Sequence, residues 1–172
     1  MEKKNAKFTI DAPYYKLGDI GSHTKKIWLI FHGYGQLIDD FAEPFASFEQ
    51  EDHCILFPQG LSKFYLKGID QKIGASWMTS HDREMDIANY INYLNFIFEQ
   101  EIQPFANKIL LNVLGFSQGG HTASRWIAKS HVKYDKLILW GSSLAAEIGS
   151  EEVKNHFGNG KTSWWWAIRT ST

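Results

Sequence analysis

The sequence predicts a one-domain α/β fold, a mostly parallel sheet with helices on both faces. Three observations predict it. Nearly all-apolar runs of strand length alternate with helical stretches, the pattern of parallel strands covered on both sides. Two of those runs end in glycine-rich turns, and in an open parallel sheet the carboxyl ends of the strands share one rim, where ligands bind. The 172 residues, 44% apolar and 15% aromatic, suffice for one real core and argue against disorder.

Taken in order, residues 7–10 and 14–17 read as short edge strands separated by Pro13. Lys26–Phe31 is a continuous apolar run of strand length that stops at His32-Gly33-Tyr34-Gly35. Residues 37–49 place Leu37, Phe41, Phe45 and Phe48 on one helical stripe, although Pro44 would break a helix interior. Cys54–Phe57 is a second buried strand, stopped by Pro58-Gln59-Gly60, and a long loop over about 61–79 carries Trp77. A helix over about 81–102 aligns Ile87, Ile91, Leu94, Phe98 and Ile102, with Thr79 or Ser80 as its cap. Lys108–Leu114 is the third core strand, 118–130 the helix after it, and Lys136–Trp140 the fourth strand.

Composition excludes several function classes. A net charge of −1, with both signs spread along the chain, gives no electrostatic footprint for nucleic acid or an anionic membrane. The single cysteine, Cys54, rules out an intramolecular disulfide and fits a reducing compartment. No apolar run follows Met1–Asn5, so no signal peptide is visible, and no stretch reaches the roughly 18 apolar residues that span a bilayer. The expected location is the cytoplasm. No His, Cys, Asp or Glu set has convincing metal spacing, so no metal is expected.

The chemistry lies in Gly115-Phe116-Ser117-Gln118-Gly119, directly after the third core strand. Gly-x-Ser-x-Gly between a strand and a helix is a nucleophile elbow, a tight turn that holds a serine hydroxyl clear of the sheet. Glycines at 115 and 119 keep the turn free of collisions with neighbouring strand and helix. Acyl transfer then needs donors for the developing oxyanion. The first is the N–H of Gln118, the residue after the nucleophile. The second is expected from the glycine-rich loop after the His32-Gly33 strand end, with Tyr34 the best candidate. His32 reads as a brace for that loop, not as a base. Trp77 is a candidate to line an acyl pocket, with a core role about equally weighted. His121, one turn beyond Ser117, reads as packing or solvated.

Phe31-His32-Gly33-Tyr34-Gly35 followed by Gly115-Phe116-Ser117-Gln118-Gly119-Gly120 resembles the phospholipase/carboxylesterase family of α/β-hydrolases, which includes the acyl-protein thioesterases. The resemblance covers roughly residues 24–145, and the intervening Ser76-Trp77 fits it. It implies the α/β-hydrolase fold and esterase or thioesterase activity on small-molecule or lipid acyl esters, without metal or organic cofactor. One departure is His121, where the family usually has a small residue.

The acid and base are the missing parts. On this fold the order is Ser, then Asp or Glu, then His. After Ser117 the one aspartate is Asp135, at the amino end of its strand, and the histidines are His121, His131 and His156. None completes a convincing triad. The resemblance implies further strands and the catalytic Asp and His beyond this point, so the C-terminal strands read as missing. A shortened sheet would also expose an apolar edge, through which oligomers are expected to form. Two readings follow: a serine hydrolase acting through Ser117, or an impaired fragment that at most binds acyl ligands.

Residues 1–161 are therefore expected to form the hydrolase domain and 162–172 an aberrant tail. That tail holds three adjacent tryptophans, Trp164-Trp165-Trp166, before Ala167. Tryptophan has the single codon TGG and alanine begins GC. Restoring one base upstream converts these four residues into Leu, Met or Val, then Val, Val and Gly. The next codon must end in AT, which permits Asp. The resulting string resembles the strand–Gly-Asp-x-Asp segment that carries the family's catalytic acid. The valines and glycine are dictated by the code, whereas the aspartates are only permitted. The expectation is a tail read out of frame, and resequencing the gene checks it. The alternative frame should continue beyond the stop into a segment containing histidine, and a frame without one refutes the reading.

Overall fold

The computed structural model describes residues 1–48, 52–67, 72–158 and 162–165. The elements in chain order are β1 (Tyr14–Leu17), β2 (Lys26–Phe31), α1 (Ile38–Phe41), β3 (His53–Pro58), β4 (Ser62–Tyr65), β5 (Ile73–Ser76), α2 (Arg83–Ile97), β6 (Leu110–Phe116), α3 (Gln118–Ser130), β7 (Lys136–Trp140) and β8 (Thr162–Trp165). Six of the strands form one sheet in the order β1-β3-β2-β6-β7-β8, while β4 and β5 form a separate hairpin. Only β1 runs antiparallel; every other pairing in the large sheet is parallel.

Alternation along the strands sorts the side chains onto two faces. Ile27, Leu29 and Phe31 join Leu56, Val113 and Leu139 on the face covered by α2 and α3, where Tyr90, Leu94, Trp126 and Ile127 complete the larger core. Ile30, Ile55, Phe57 and Leu114 face the other way, against Ile38, Phe41 and Phe45. The two faces are unequally covered. The second carries only the single turn of α1 and a 3-10 turn over Glu43–Phe48. It leaves an apolar trough of about 590 Å³ lined by Trp28, Ile30, Phe45, Leu114, Phe116 and Trp140.

Several local expectations are corrected. Residues 7–10 pair with no strand among the described residues. The stripe over 37–49 breaks after Phe41 into the 3-10 turn, because Pro44 has no N–H to continue the ladder. The loop over 61–79 holds the β4–β5 hairpin. The helix begins at Arg83, after Asp82 in the left-handed conformation, so neither Thr79 nor Ser80 caps it. It widens to a π turn over Phe98–Ile102 ahead of Pro104. Apart from these corrections, β8 pairs in parallel with β7, Leu137 with Thr162 and Trp140 with Trp165. Residues 166–172, the rest of the tail, lie outside the described residues.

The register positions the rim. Phe31 pairs with Gly115, and Gly115 with Leu139, so β2, β6 and β7 end level with one another. The segments that follow them, His32–Gln36, Ser117 and Gly141–Ser143, therefore meet at one edge of the sheet.

The open trough leads to a prediction. Phe48 is 60% exposed and Trp140 45%. A contiguous apolar surface of this kind binds dyes such as anilinonaphthalene sulfonate. A Phe48→Glu, Trp140→Glu double variant should lose most of that fluorescence with little change in its thermal midpoint, because neither side chain is buried.

Candidate active site

Ser117 caps α3 with φ 52° and ψ −118°, a conformation that strains any residue with a Cβ. It persists because the surroundings leave the chain no other path. A Cβ on Gly115 would lie 2.4 Å from Gly120 Cα, and one on Gly119 would lie 2.4 Å from the Phe31 carbonyl oxygen and 2.6 Å from that of His32. Gly120 in turn lies against Ser142, where a Cβ would meet Oγ at 2.3 Å. The start of α3 is thus pressed against the ends of β2 and β6 and the loop after β7. The Ser117 N–H donates to the Trp140 carbonyl at 3.0 Å, and the Ser117 carbonyl accepts from Gly120 N–H at 3.0 Å.

The loop after β2 is held from three sides. Gly33 N–H donates to Gln36 Oε1 at 2.7 Å, and Gly35 N–H to the Ala75 carbonyl at 2.8 Å. His32, fully buried, holds the third side. Its Nε2 accepts from Gly60 N–H at 2.9 Å and from the Gln59 amide at 3.0 Å. The proton is consequently on Nδ1, which donates to the Gly33 carbonyl at 2.8 Å. Burial lowers the His32 pKa to about 4, against a smaller upward pull from Gly33. The ring is neutral with its lone pair occupied, so it braces the loop and has no capacity left as a base.

Tyr34 and Gln118 carry the candidate oxyanion donors. No acceptor meets the Tyr34 N–H among the described residues. Its ring is 58% exposed and packs on Phe64 at 5.2 Å. Gln118 is the first residue of α3, where backbone N–H groups have no partner within the helix. Its side chain staples the helix start to the end of β5. Oε1 accepts from Trp77 N–H at 3.1 Å, and Nε2 donates to the Met78 carbonyl at 2.9 Å.

Trp77 belongs to the core, not to a pocket wall. It is 1% exposed, stacked on the His32 ring at 5.0 Å, and donates Nε1–H to the His32 carbonyl at 3.0 Å. A substrate could not reach a ring enclosed by His32, Phe31 and Tyr90. The sequence set these two roles level because a tryptophan beside a serine in a loop looks the same in either.

The remaining acids and histidines are accounted for. Asp135 clamps the amino ends of two strands: Oδ2 accepts from Leu111 N–H at 2.9 Å, and its own N–H donates to the Leu111 carbonyl at 2.7 Å. His131 and His156 lie 5.2 Å apart, beside Tyr134 at the same amino end, whose hydroxyl donates to the His156 carbonyl. His121 lies on the rim side, with Nε2 3.3 Å from Ser143 Oγ. Among the described residues no group of His, Cys, Asp or Glu could hold a metal ion, and no helix is long and apolar enough to cross a membrane.

No protein-family model and no curated protein matches the chain. Solved structures do. The chain is similar to Zea mays acyl-protein thioesterase 2, with a TM-score of 0.60 and 13% identity over 91% of this chain and 90% of that one. It is similar to a phospholipase/carboxylesterase from Dyadobacter fermentans, with a TM-score of 0.58 and 15% identity over 94% and 90%. An α/β-hydrolase family protein from Desulfitobacterium hafniense matches at a TM-score of 0.51 and 16% identity; here the alignment covers 76% of this chain but only 44% of that longer one. At such identities the likeness is one of fold: the chain has the α/β-hydrolase fold.

The neutral His32 bracket makes stability pH-dependent. Its pKa is 6.5 unfolded and about 4 folded, so between these values the unfolded chain binds the extra proton. Its contribution is complete above pH 6.5 and is lost as pH falls through about 4. Glu147 acts lower. Burial raises its pKa, but the hydrogen bonds and charge of Arg125 and Arg83 outweigh this and hold it at about 2, so its loss begins below 4.5. Urea midpoints should therefore fall between pH 6.5 and 4.5 in the wild type, and fall distinctly less in His32→Gln.

Proposed function

We propose that this chain is a serine hydrolase that cleaves carboxylic esters or thioesters through an acyl-enzyme on Ser117. The observation that carries the reading is the strained Ser117 turn at the sheet rim, with Gly119 seated on the β2 carbonyls. The amides of Tyr34 and Gln118, for which no acceptor stands among the described residues, support it, since a tetrahedral intermediate needs donors. Ser117 Oγ attacks the acyl carbon, the carbonyl oxygen becomes an anion held by those amides, and the alcohol or thiol departs. Water then releases the acyl group. The thioesterase and carboxylesterase among the similar folds support a small-molecule or lipid acyl ester as substrate. The proposed chemistry calls on no metal or cofactor, and the proposed site of action is the cytoplasm, a reading that the lone cysteine supports.

One observation favours a second reading. No carboxylate–histidine pair stands at Ser117 among the described residues: Asp135 is a strand clamp and the lone pair of His32 is occupied. On that reading the chain is catalytically impaired and at most binds acyl ligands, with Gly33, Gly35, Gly115 and Gly119 serving the fold alone. Association through the open sheet edge is compatible with either.

Fluorophosphonate labelling with p-nitrophenyl acetate turnover separates the two. The wild type should take up label at one serine and release nitrophenol, and Ser117→Ala should abolish both. A folded wild type that takes no label favours the second reading. Without the usual acid–base pair the rate should lie about 10⁴-fold or more below that of a complete triad.

A further inference from the structure

His121 extends the Ser117 reading, on which the following rests. We propose that His121 is the general base for Ser117, held in the required tautomer by Ser143 on the neighbouring loop.

Position is the first argument. Ser117 caps α3 and His121 lies four residues on, about one turn along the same helix. Side chains on a helix lean toward its N-terminus, which carries the imidazole back over the turn that begins at Ser117. His121 is half-buried. Its far nitrogen, Nε2, lies 3.3 Å from Ser143 Oγ, in the loop after β7. The same loop follows Trp140, whose carbonyl holds the Ser117 N–H. The ring is thus anchored to the segment that positions the nucleophile.

Hydrogen-bond accounting fixes the proton. Ser143 Oγ donates its one hydrogen to the Leu144 carbonyl at 3.0 Å. Toward His121 it can therefore only accept, and Nε2 must carry the ring proton. The lone pair is left on Nδ1, the nitrogen nearer the helix, and no donor meets it among the described residues. A base needs a free lone pair within reach of the proton it takes, directly or through one water. His32 has no lone pair free for this, and on His121 the Nδ1 lone pair is open.

The surroundings keep the ring neutral. The pKa of His121 is lowered first by burial and then by the positive charge of Arg125, with Glu147 pulling the other way. Glu147 is itself bound by Arg125 and Arg83, so its charge is largely countered. A neutral imidazole is the form that accepts a proton at pH 7.

The step balances. As Ser117 Oγ bonds to the acyl carbon, its proton passes to His121 Nδ1 and the carbonyl π pair becomes the oxyanion. Collapse of the tetrahedral centre breaks the bond to the alkoxide or thiolate, which takes the proton from Nδ1. Deacylation repeats the sequence with water in place of the serine. No carboxylate touches the ring, so this dyad is slower than a triad, as the low rate expected above requires.

The test is the pH dependence of the fluorophosphonate labelling rate in the full chain. The wild type should label with a base limb whose midpoint lies below 6.5, the ordinary histidine value. His121→Gln, whose amide N–H can still donate to Ser143, should label about 10²–10⁴-fold more slowly at pH 7.5 and lose the limb. Added imidazole should restore the rate of His121→Ala, which a merely structural role would not allow. Ser143→Ala should shift the midpoint while keeping the limb. A His121→Gln variant with wild-type rate and profile overturns the inference and leaves the Ser117 reading intact. Unchanged labelling of Ser117→Ala, or a folded wild type that takes no label, overturns both.

Discussion

The close approach of α3 to the carboxyl ends of β2 and β6 is the contact on which the rest of the rim depends. Gly119 lies so near the Phe31 and His32 carbonyls that a single added carbon would have to displace backbone, and Gly115 lies equally near Gly120. Backbone cannot yield there, because β2 and β6 are hydrogen-bonded on both sides in the centre of the sheet. The turn between β6 and α3 therefore has no slack, and Ser117 takes the positive φ that remains. Strain at the serine follows from packing elsewhere.

A second layer keeps the loop opposite that turn in place. His32 reads both Gly60 and Gly33 through its two ring nitrogens, while Trp77 stacks on its face and bonds its carbonyl. Gln118 then ties the start of α3 to Ser76–Met78, next to the same tryptophan. The candidate oxyanion loop and the serine turn are in this way fastened to one buried aromatic–imidazole stack. Its desolvation holds the imidazole neutral, so the bracket works through fixed dipoles and not through charge. The opposite face of the sheet has no comparable support, and the trough beside Phe116 and Trp140 is the result.

Much of this was legible beforehand. Apolar runs gave the strands at 26–31, 54–57, 108–114 and 136–140 to within a few residues, because a strand buried on both faces has no polar positions to confuse the pattern. The hairpin at 62–65 and 73–76 was not legible. Its strands are only four residues each and carry no long apolar run, and β5 also meets the loop after β2 through Gly35 and Gln36 at Ala75. The fate of the 37–49 stripe turned on Pro44, a local signal that outweighed the periodicity.

The sequence by itself determined the alternation of elements and the serine turn, since each is a matter of residue types in linear order. Tertiary structure alone decided what the polar rings do. Which lone pair is free on His32 or His121 depends on donors brought from Gly60, Gln59 and Ser143, residues about 20 to 30 positions away. Trp77 became a core residue for the same reason, enclosed by partners from the end of β2 and from α2. A side chain's chemistry is set by the atoms within hydrogen-bond or van der Waals reach, and in a parallel sheet those atoms come from distant parts of the chain.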